Sequence, residues 1–553
     1  MNMAQDCDKK ASPVVSVLLP TFNRPRYLPL ALASILRQSY ERLQVIVVND
    51  GGVDVSGIVN SFHDPRVVFI NRKQNLGKPH SLNEALGRAE GKYVAYLDDD
   101  DLYYPHHIQT LVNALESRTD CQVAYSDFYK TYCRVSSDGT RQVLSKVVEV
   151  SRDFDRFFML HFNHVLHVCL MHRRDLIDRT GPYNERLNVL IDWDMTRRLV
   201  FFSDFHHVCE VTGEYCHPMG ECDRISVQRR KDKGRYAENV LAIRTTRPPE
   251  PWAKIQDMSI ILADDRLDKE VGKTIGAIWR HTFYPYKLYL PLPESDFDRL
   301  NTDMPNLVRV PVDPTFSTAQ RVDAAFGQCE GQYIGLVPGG LPIKDMWIEN
   351  ALYPLMNSAA DRIGFEVDGS TDRLWAAVIR KNDLLAARTR FRDLPVRESL
   401  RAAGVTLRSP DFEELPFQFD NLLLQAQAEL KEGNYLEAAQ MFEYLAGRHQ
   451  NGLWMSALAA RAFFIAGEHA RAAELSHGVN QRRATVDTLL LEAKVRREQR
   501  DFGSAIEFLR TAEQMLSDPD LNIPAPLPAC GYTSAGTRGK QSGILEGNNF
   551  PWT

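Results

Sequence analysis

Four adjacent aspartates, Asp98, Asp99, Asp100 and Asp101, end the run Tyr93-Val94-Ala95-Tyr96-Leu97. That run is apolar, β-branched and aromatic, which suits a buried strand. Four carboxylates in a row repel one another at neutral pH unless positive charge sits among them. A hard divalent cation answers that need, because Mg2+ and Mn2+ prefer oxygen ligands and Mg2+ is usually shared between carboxylates and substrate phosphates. The stretch therefore reads as a metal-diphosphate site at the carboxyl end of a strand, where open α/β sheets bind their ligands. The competing reading is a solvated acidic turn that starts a helix near Pro105. The flanking sequence decides between them.

With 553 residues the chain exceeds a single core, and about two to four domains are expected. Lys and Arg number 66 against 72 Asp and Glu, a net charge of −6 that argues against a nucleic-acid or membrane-surface binder. Nine cysteines without a framework spacing suit a reducing compartment. No apolar run approaches the ~20 residues of a membrane span. The first residues do not read as a signal peptide, so a cytoplasmic location is expected. A processive synthase that extrudes its polymer is disfavoured.

Residues 14–19, 43–48 and 67–70 are further apolar strand candidates, and helical spacing follows at 27–36 and from Lys78 through Leu82, Ala85 and Leu86. Alternating strands and helices, with each strand apolar throughout, predict a parallel sheet covered on both faces. Polar tips follow successive strands: Thr21, Asn23 and Arg24; then Asn49 and Asp50; then the four aspartates. In a parallel sheet such tips gather on one edge.

Pro20-Thr21-Phe22-Asn23-Arg24, Val48-Asn49-Asp50-Gly51-Gly52, Asn75-Leu76-Gly77 with Asn83, and Leu97 with the four aspartates together resemble the ordered motifs of inverting nucleotide-sugar glycosyltransferases of the GT-A fold, family 2 type. Four motifs in order over the first 105 residues carry what none would carry alone. The resemblance implies a nucleoside-diphosphate sugar donor, a UDP sugar by preference, and Mn2+ or Mg2+ as cofactor. It implies that Thr21 and Asp50 contact the nucleoside, Asp50 at the base, and that Pro20, Asn23, Asp98 and Asp99 are also substrate-binding. Arg24 and Lys78 would meet ribose or phosphate. Asp98 and Asp100 would be the ends of an Asp-x-Asp motif, with Asp100 holding the metal and Asp98 a further ligand. His217 stands where some members of the fold place a third metal ligand.

Residues 166–172 read as another strand and 174–179 as a short helix. Ile191-Asp192-Trp193-Asp194 then opens a helix that resembles the segment carrying the family's base, with Trp193 beside the substrate. An acceptor hydroxyl must lose its proton as it attacks the anomeric carbon, and Asp192 is the candidate. The cation stabilises the leaving diphosphate, so the paired acids of a glycosidase are not required. A helix N-cap is the alternative role for Asp192. His206, His207, Cys209, Cys216, His217 and Cys222 cluster without the spacing of a zinc knuckle.

Beyond the Pro-rich linker at 247–251 the pattern begins again. Residues 258–262 echo 15–19, and Ala325, Gly327, Glu330, Gly331 and Tyr333 repeat Ala85, Gly87, Glu90, Gly91 and Tyr93. This is an internal duplication. Pro338-Gly339-Gly340 stands where the aspartates were, and Val396-Arg397-Glu398 where Asp192 was. From 417 the chain turns Ala/Leu/Glu-rich, and Ala438, Ala472 and Ala505 mark a motif of tetratricopeptide-like period. The expected organisation is a catalytic GT-A domain at 1–250, a degenerate GT-A-like α/β domain at 255–412, all-α tetratricopeptide-like repeats at 417–517, and a Pro/Gly-rich tail at 518–553. A glycan or protein acceptor is expected, with the repeats recruiting a protein or driving self-association, and no nucleic acid or membrane span. A nucleotidyltransferase would want a Gly-rich phosphate loop after the first strand, and residues 20–25 hold no glycine. A non-catalytic repeat scaffold is the third possibility, and complete acidic motifs argue against it.

Overall fold

The computed structural model describes residues 14–136, 141–148, 151–218, 232–264, 268–300, 304–410, 416–448 and 452–517. The expected tail at 518–553 and Cys222 lie outside the described residues. Strands β1 (Val15–Thr21), β2 (Leu43–Asn49), β3 (Val67–Asn71) and β4 (Tyr93–Tyr96) form a parallel half-sheet in which β1 pairs with both β2 and β4. β1, β2 and β4 are buried almost residue for residue, as continuous apolar runs must be when both faces are covered.

The rest of the sheet departs from expectation. It continues through β5 (Leu102–Tyr103), β6 (Cys121–Val135), β7 (Arg141–Val147), β8 (Leu170–Arg173) and β9 (Asp204–Pro218) in the order β3-β2-β1-β4-β8-β6-β9-β5, with β7 on β6. β8 runs antiparallel to both β4 and β6, so the sheet is mixed rather than parallel throughout. The strand expected at 166–172 begins as a one-turn helix, His167–Cys169, and only then extends as β8.

A second sheet contains β10 (Met258–Leu262), β11 (Tyr286–Leu292), β12 (Leu307–Pro311), β13 (Tyr333–Val337), β14 (Ile363–Glu366), β15 (Ala377–Arg380) and β16 (Thr406–Arg408). Its order is β12-β11-β10-β13-β15-β14-β16, and its parallel and antiparallel neighbours fall in the same places as in the first seven positions of the first sheet. The two sheets share a seam. Phe157 stacks on Tyr284 at 5.2 Å and meets Tyr353 edge-on at 5.2 Å. Such pairs add roughly 0.5–1.5 kcal/mol beyond burial. The fully buried Arg197 donates to the carbonyls of Thr246, Arg244 and Phe283. The linker is a packed strap rather than a free spacer, because Arg247 makes two bonds of 2.7 Å to Asp257 and Trp252 lies edge-on to Phe201.

Helices Pro416–Glu432, Tyr435–Ala446, Gly452–Ile465, His469–Arg483, Val486–Glu498 and Phe502–Ser517 follow, each packed on the next. Gly433, Gly467 and Arg500 take positive φ (90°, 86° and 62°) at equivalent turns, and Ala438, Ala472 and Ala505 are buried behind them. Phe463 is buried and Trp454 and Phe464 pack against the same core, so these apolar residues serve helix packing. No helix among the described residues is long and apolar enough to cross a membrane.

Candidate functional site

The parallel register sets the tips of β1, β2 and β4 side by side. Asp50 N donates to the Thr21 carbonyl at 2.9 Å, and Thr21 Oγ1 donates to Asp99 Oδ2 at 2.7 Å. Asp98, Asp100 and Asp101 bring carboxylate oxygens within 4.8 Å of one another. This all-oxygen donor set fits a hard divalent cation of the Mg2+ or Mn2+ kind. Asp101 was not singled out by the Asp-x-Asp pattern, yet it is fully buried and its Oδ1 is held by Cys216 N at 2.8 Å.

The positive charge that the acidic run demands is supplied in this structure by the chain itself. Arg24 Nη1 lies 2.8 Å from Asp100 Oδ2 and 3.3 Å from Asp99 Oδ1, and Lys78 Nζ contacts both oxygens of Asp98 at 2.5 and 2.8 Å. Burial works against the charge of Lys78, but Asp98, Asp192 and Asp100 together raise its pKa. Burial would likewise raise Asp98, and the Lys78 ammonium outweighs it and holds the carboxyl low. Asp99 goes the other way: burial first and repulsion from Asp100 second push it up to about 7, and the opposing pull of Arg24 and of the Thr21 hydroxyl does not offset them.

Asp192 is the second residue of the helix Ile191–Leu199. The cap residue is Leu190, in the left-handed region at φ 60°, and no side chain caps the helix. The capping alternative for Asp192 is therefore not the geometry adopted. Asp192 is half-buried, its Oδ2 accepts from Asn163 Nδ2 at 3.2 Å, and it is close enough to Lys78 to raise that residue's pKa. The neighbouring acid Asp194 is committed to a buried bond with Arg198 at 2.6 Å. Backbone strain at a bulky left-handed residue persists where the surroundings enforce it, often next to functional groups.

Other expected residues have partners within the protein. Trp193, expected beside the substrate, is 4% exposed, and its indole N–H donates to the Met159 carbonyl at 3.0 Å; it is a core residue of its helix. His217, expected on the metal, lies edge-on to Tyr132 at 5.1 Å, and the carboxylate group is completed by Asp101 instead. Asp50, expected at the base, uses its carboxylate on Leu76 N (3.0 Å), Gly77 N (2.8 Å) and Arg72 Nη1 (3.0 Å), which pins the loop leading to Lys78. Asn23 is exposed at φ 55° and accepts from Val53 N at 2.9 Å, while Pro20 is half-buried at the end of β1. Asn83 ties the helix Lys78–Arg88 to Tyr183 through two bonds of 2.8 and 3.0 Å.

Asn163 and His167 carried no sequence signal. His167 stacks on Tyr96 at 4.0 Å and pairs with the Tyr183 hydroxyl at 2.7 Å. Burial and then Lys78 lower its pKa to about 3, so it stands neutral beside Asp98. In the histidine-cysteine cluster, Asp127, His207 and Cys209 come together, but Arg483 at the end of the helix His469–Arg483 donates to Cys209 Sγ and Ser151 Oγ at 2.9 Å and also pairs with Asp127. That cluster is where the C-terminal helices meet β6 and β9.

Residues 16–176 match the model for glycosyl transferase family 2. An uncharacterized glycosyltransferase of Rickettsia prowazekii is 28% identical over 193 residues, 33% of this chain and 58% of that one. One from Haemophilus influenzae is 41% identical over 107 residues, 19% of this chain and 33% of that one. The chain thus spans about a third to somewhat over half of these relatives' own length. A solved structure of Staphylococcus aureus TarS with UDP-GlcNAc covers 42% of this chain and 66% of its own, with 18% identity and a TM-score of 0.34. The family match and the glycosyltransferase relatives support a transferase.

Proposed function

We propose that the chain is an inverting, metal-dependent glycosyltransferase that moves a sugar from a nucleoside-diphosphate sugar to a hydroxyl acceptor by single displacement. Its point of departure is the family 2 match over residues 16–176. The observation that carries the finer reading is the convergence of Asp98, Asp100 and Asp101 at one sheet edge, with Lys78 linking them electrostatically to Asp192. Asp98, Asp100 and Asp101 would hold Mg2+ or Mn2+, which when bound supplies Lewis-acid stabilisation of a leaving diphosphate. Asp192 takes the acceptor's proton at its carboxylate, oriented by Asn163. Arg24 and Lys78 are long, partly exposed cations within reach of the diphosphate oxygens. Thr21 holds the Asp99 carboxylate through its hydroxyl. A uridine nucleoside is the preferred donor base, on the resemblance of the first two motifs.

The second sheet, in this reading, is a degenerate GT-A-like unit without transfer chemistry, and the helices from 417 to 517 are tetratricopeptide-like repeats. Their surface away from Arg483 would recruit a protein acceptor or a second copy. The test is a panel of nucleotide sugars incubated with the full chain, reading release of nucleoside diphosphate with and without Mn2+ or Mg2+. Release from one donor class that stops in excess EDTA is the expected result. Full turnover in EDTA removes the metal assignment, and no turnover of any donor removes the transferase reading.

A further inference from the structure

Each metal-facing carboxylate of the site already has a protein partner. Lys78 sits on both oxygens of Asp98, Arg24 on Asp100, and the backbone N–H of Cys216 on Asp101. Two of these partners differ from the third in kind. The Cys216 amide is fixed in β9, whereas Arg24 and Lys78 reach in on flexible stems from the ends of β1 and of the pinned loop, with side chains 14% and 34% exposed. A cation that takes oxygens of Asp98 and Asp100 must take them from Lys78 and Arg24. Once released, those two groups are unpaired at a partly desolvated lip, which is costly until an anion meets them. A diphosphate is such an anion, and it binds Arg and Lys through charge-assisted hydrogen bonds.

We infer that Arg24 and Lys78 are exchangeable counter-ions that hold the metal carboxylates shut until the donor's diphosphate draws them away, so that metal and nucleotide bind cooperatively. This rests on the metal-dependent transfer proposed above and adds its order of assembly. The cation alone binds weakly because it competes with two internal cations. The nucleotide alone binds weakly because its partners are engaged with aspartates. Together each removes the other's competitor, and the coupling is reciprocal.

The test is Mn2+ binding to the full chain, followed by the electron paramagnetic resonance signal of free Mn2+, with and without UDP, and with GDP in parallel. In the wild type UDP or GDP should tighten Mn2+ binding about tenfold or more, within the usual range of coupling between sites. Arg24→Met and Lys78→Met should each bind Mn2+ more tightly than wild type without nucleotide, and nucleotide should tighten it less. Lys78 is the more exposed of the two, so its variant keeps the test alive if Arg24→Met does not fold. Mn2+ affinity that is unchanged or weakened in Lys78→Met and in folded Arg24→Met, with coupling intact, overturns the exchange while leaving the metal site standing. Wild-type Mn2+ binding that is undetectable with either nucleotide, or that survives Asp100→Ala, overturns the metal reading itself.

Discussion

The carboxyl edges of the two sheets occupy the same topological position and carry opposite chemistry. Aligning the registers Leu18↔Tyr96 and Ile261↔Leu336 sets Asp264 opposite Thr21 and Gly339 opposite Asp99. In the first sheet the Thr21 hydroxyl donates to the Asp99 carboxylate; in the second the Gly339 amide donates to the Asp264 carboxylate at 3.0 Å. The hydrogen bond between the two strand tips survives with donor and acceptor exchanged, while the acidic run does not. Asp98, Asp100 and Asp101 become Pro338, Gly340 and the buried Leu341. By the registers Val15↔Leu43 and Met258↔Tyr286, Asp50 becomes Pro293, which has no N–H and serves as the cap residue of the helix Glu294–Phe297. A Cβ at Gly339 would lie 2.5 Å from Asp264 Oδ2 and 2.7 Å from Val271 Cγ2, so an aspartate there displaces both neighbours. The second edge thus has the tie between strand tips without the acidic run.

The sharpest way to break the comparison is to remove one carboxylate from each edge. Asp100→Ala is expected to take transfer to background with the fold retained, since it also relieves the repulsion that pushes Asp99 up. Asp264→Ala, at the second edge, is expected to leave transfer unchanged. Nucleoside diphosphate release from the active donor and circular dichroism check both. Loss of activity in Asp264→Ala would mean that the second edge takes part in the chemistry, as in a polymerase with two working sites.

A smaller effect is expected at the base. Asp192→Asn preserves shape and the Asn163 contact while removing basicity, so turnover should fall by about 10² to 10⁴ with donor binding nearly unchanged. Single-turnover kinetics alongside a donor titration separates this from a positioning role, in which binding would be lost and turnover of bound donor kept. The helix that replaces this region in the second unit, Val396–Ala402, should give no such split when Glu398 is changed to Gln.

What could be read from the sequence follows the burial of each strand. β1, β2 and β4 are apolar on both faces and stand out unaided. β6 and β9, with 15 residues each, carry residues such as Asp127, Lys130, His206, His207 and Glu210, and some of these are buried in ion pairs, as Asp127 is with His207 and Arg483. Their mixed pattern resembles a loop, and β9 registered only as a histidine-cysteine cluster. The acidic tip was legible because like charges at a strand end demand compensation. The identity of the compensating groups in this structure was not, since Arg24 lies 76 residues from Asp100 and Lys78 20 residues from Asp98, and each meets its partner only through the fold. Trp193 misled because an aromatic between two acids has the same appearance whether it faces a ligand or the core.

The smallest effect concerns stability, and it tests whether the second unit is kept for packing. Glu349 is fully buried at the seam, and its Oε1 accepts from Phe283 N at 2.7 Å and Tyr284 N at 3.0 Å. Burial pushes its pKa up to about 7, against the pull of those two amides. A carboxyl whose pKa is higher in the folded chain takes up a proton on folding. Its contribution is complete below the ordinary value of 4.5, declines as pH rises, and is gone above about 7. The full span is at most about 3 kcal/mol at 1.36 kcal/mol per pKa unit. Glu349→Gln keeps the acceptor at Oε1 and cannot ionise, so its stability should lack this slope. Relative to wild type the variant should be slightly less stable near pH 5, because its amide N–H groups replace a buried Oε2 without a hydrogen-bond partner, and should gain on it between pH 5 and 8. Thermal melts across that range read the difference directly. Parallel curves for the two proteins would mean that Glu349 stays ionised at the seam, with the two backbone amides outweighing burial. Transfer by Glu349→Gln at pH 8 should match wild type if the second unit contributes packing and no chemistry.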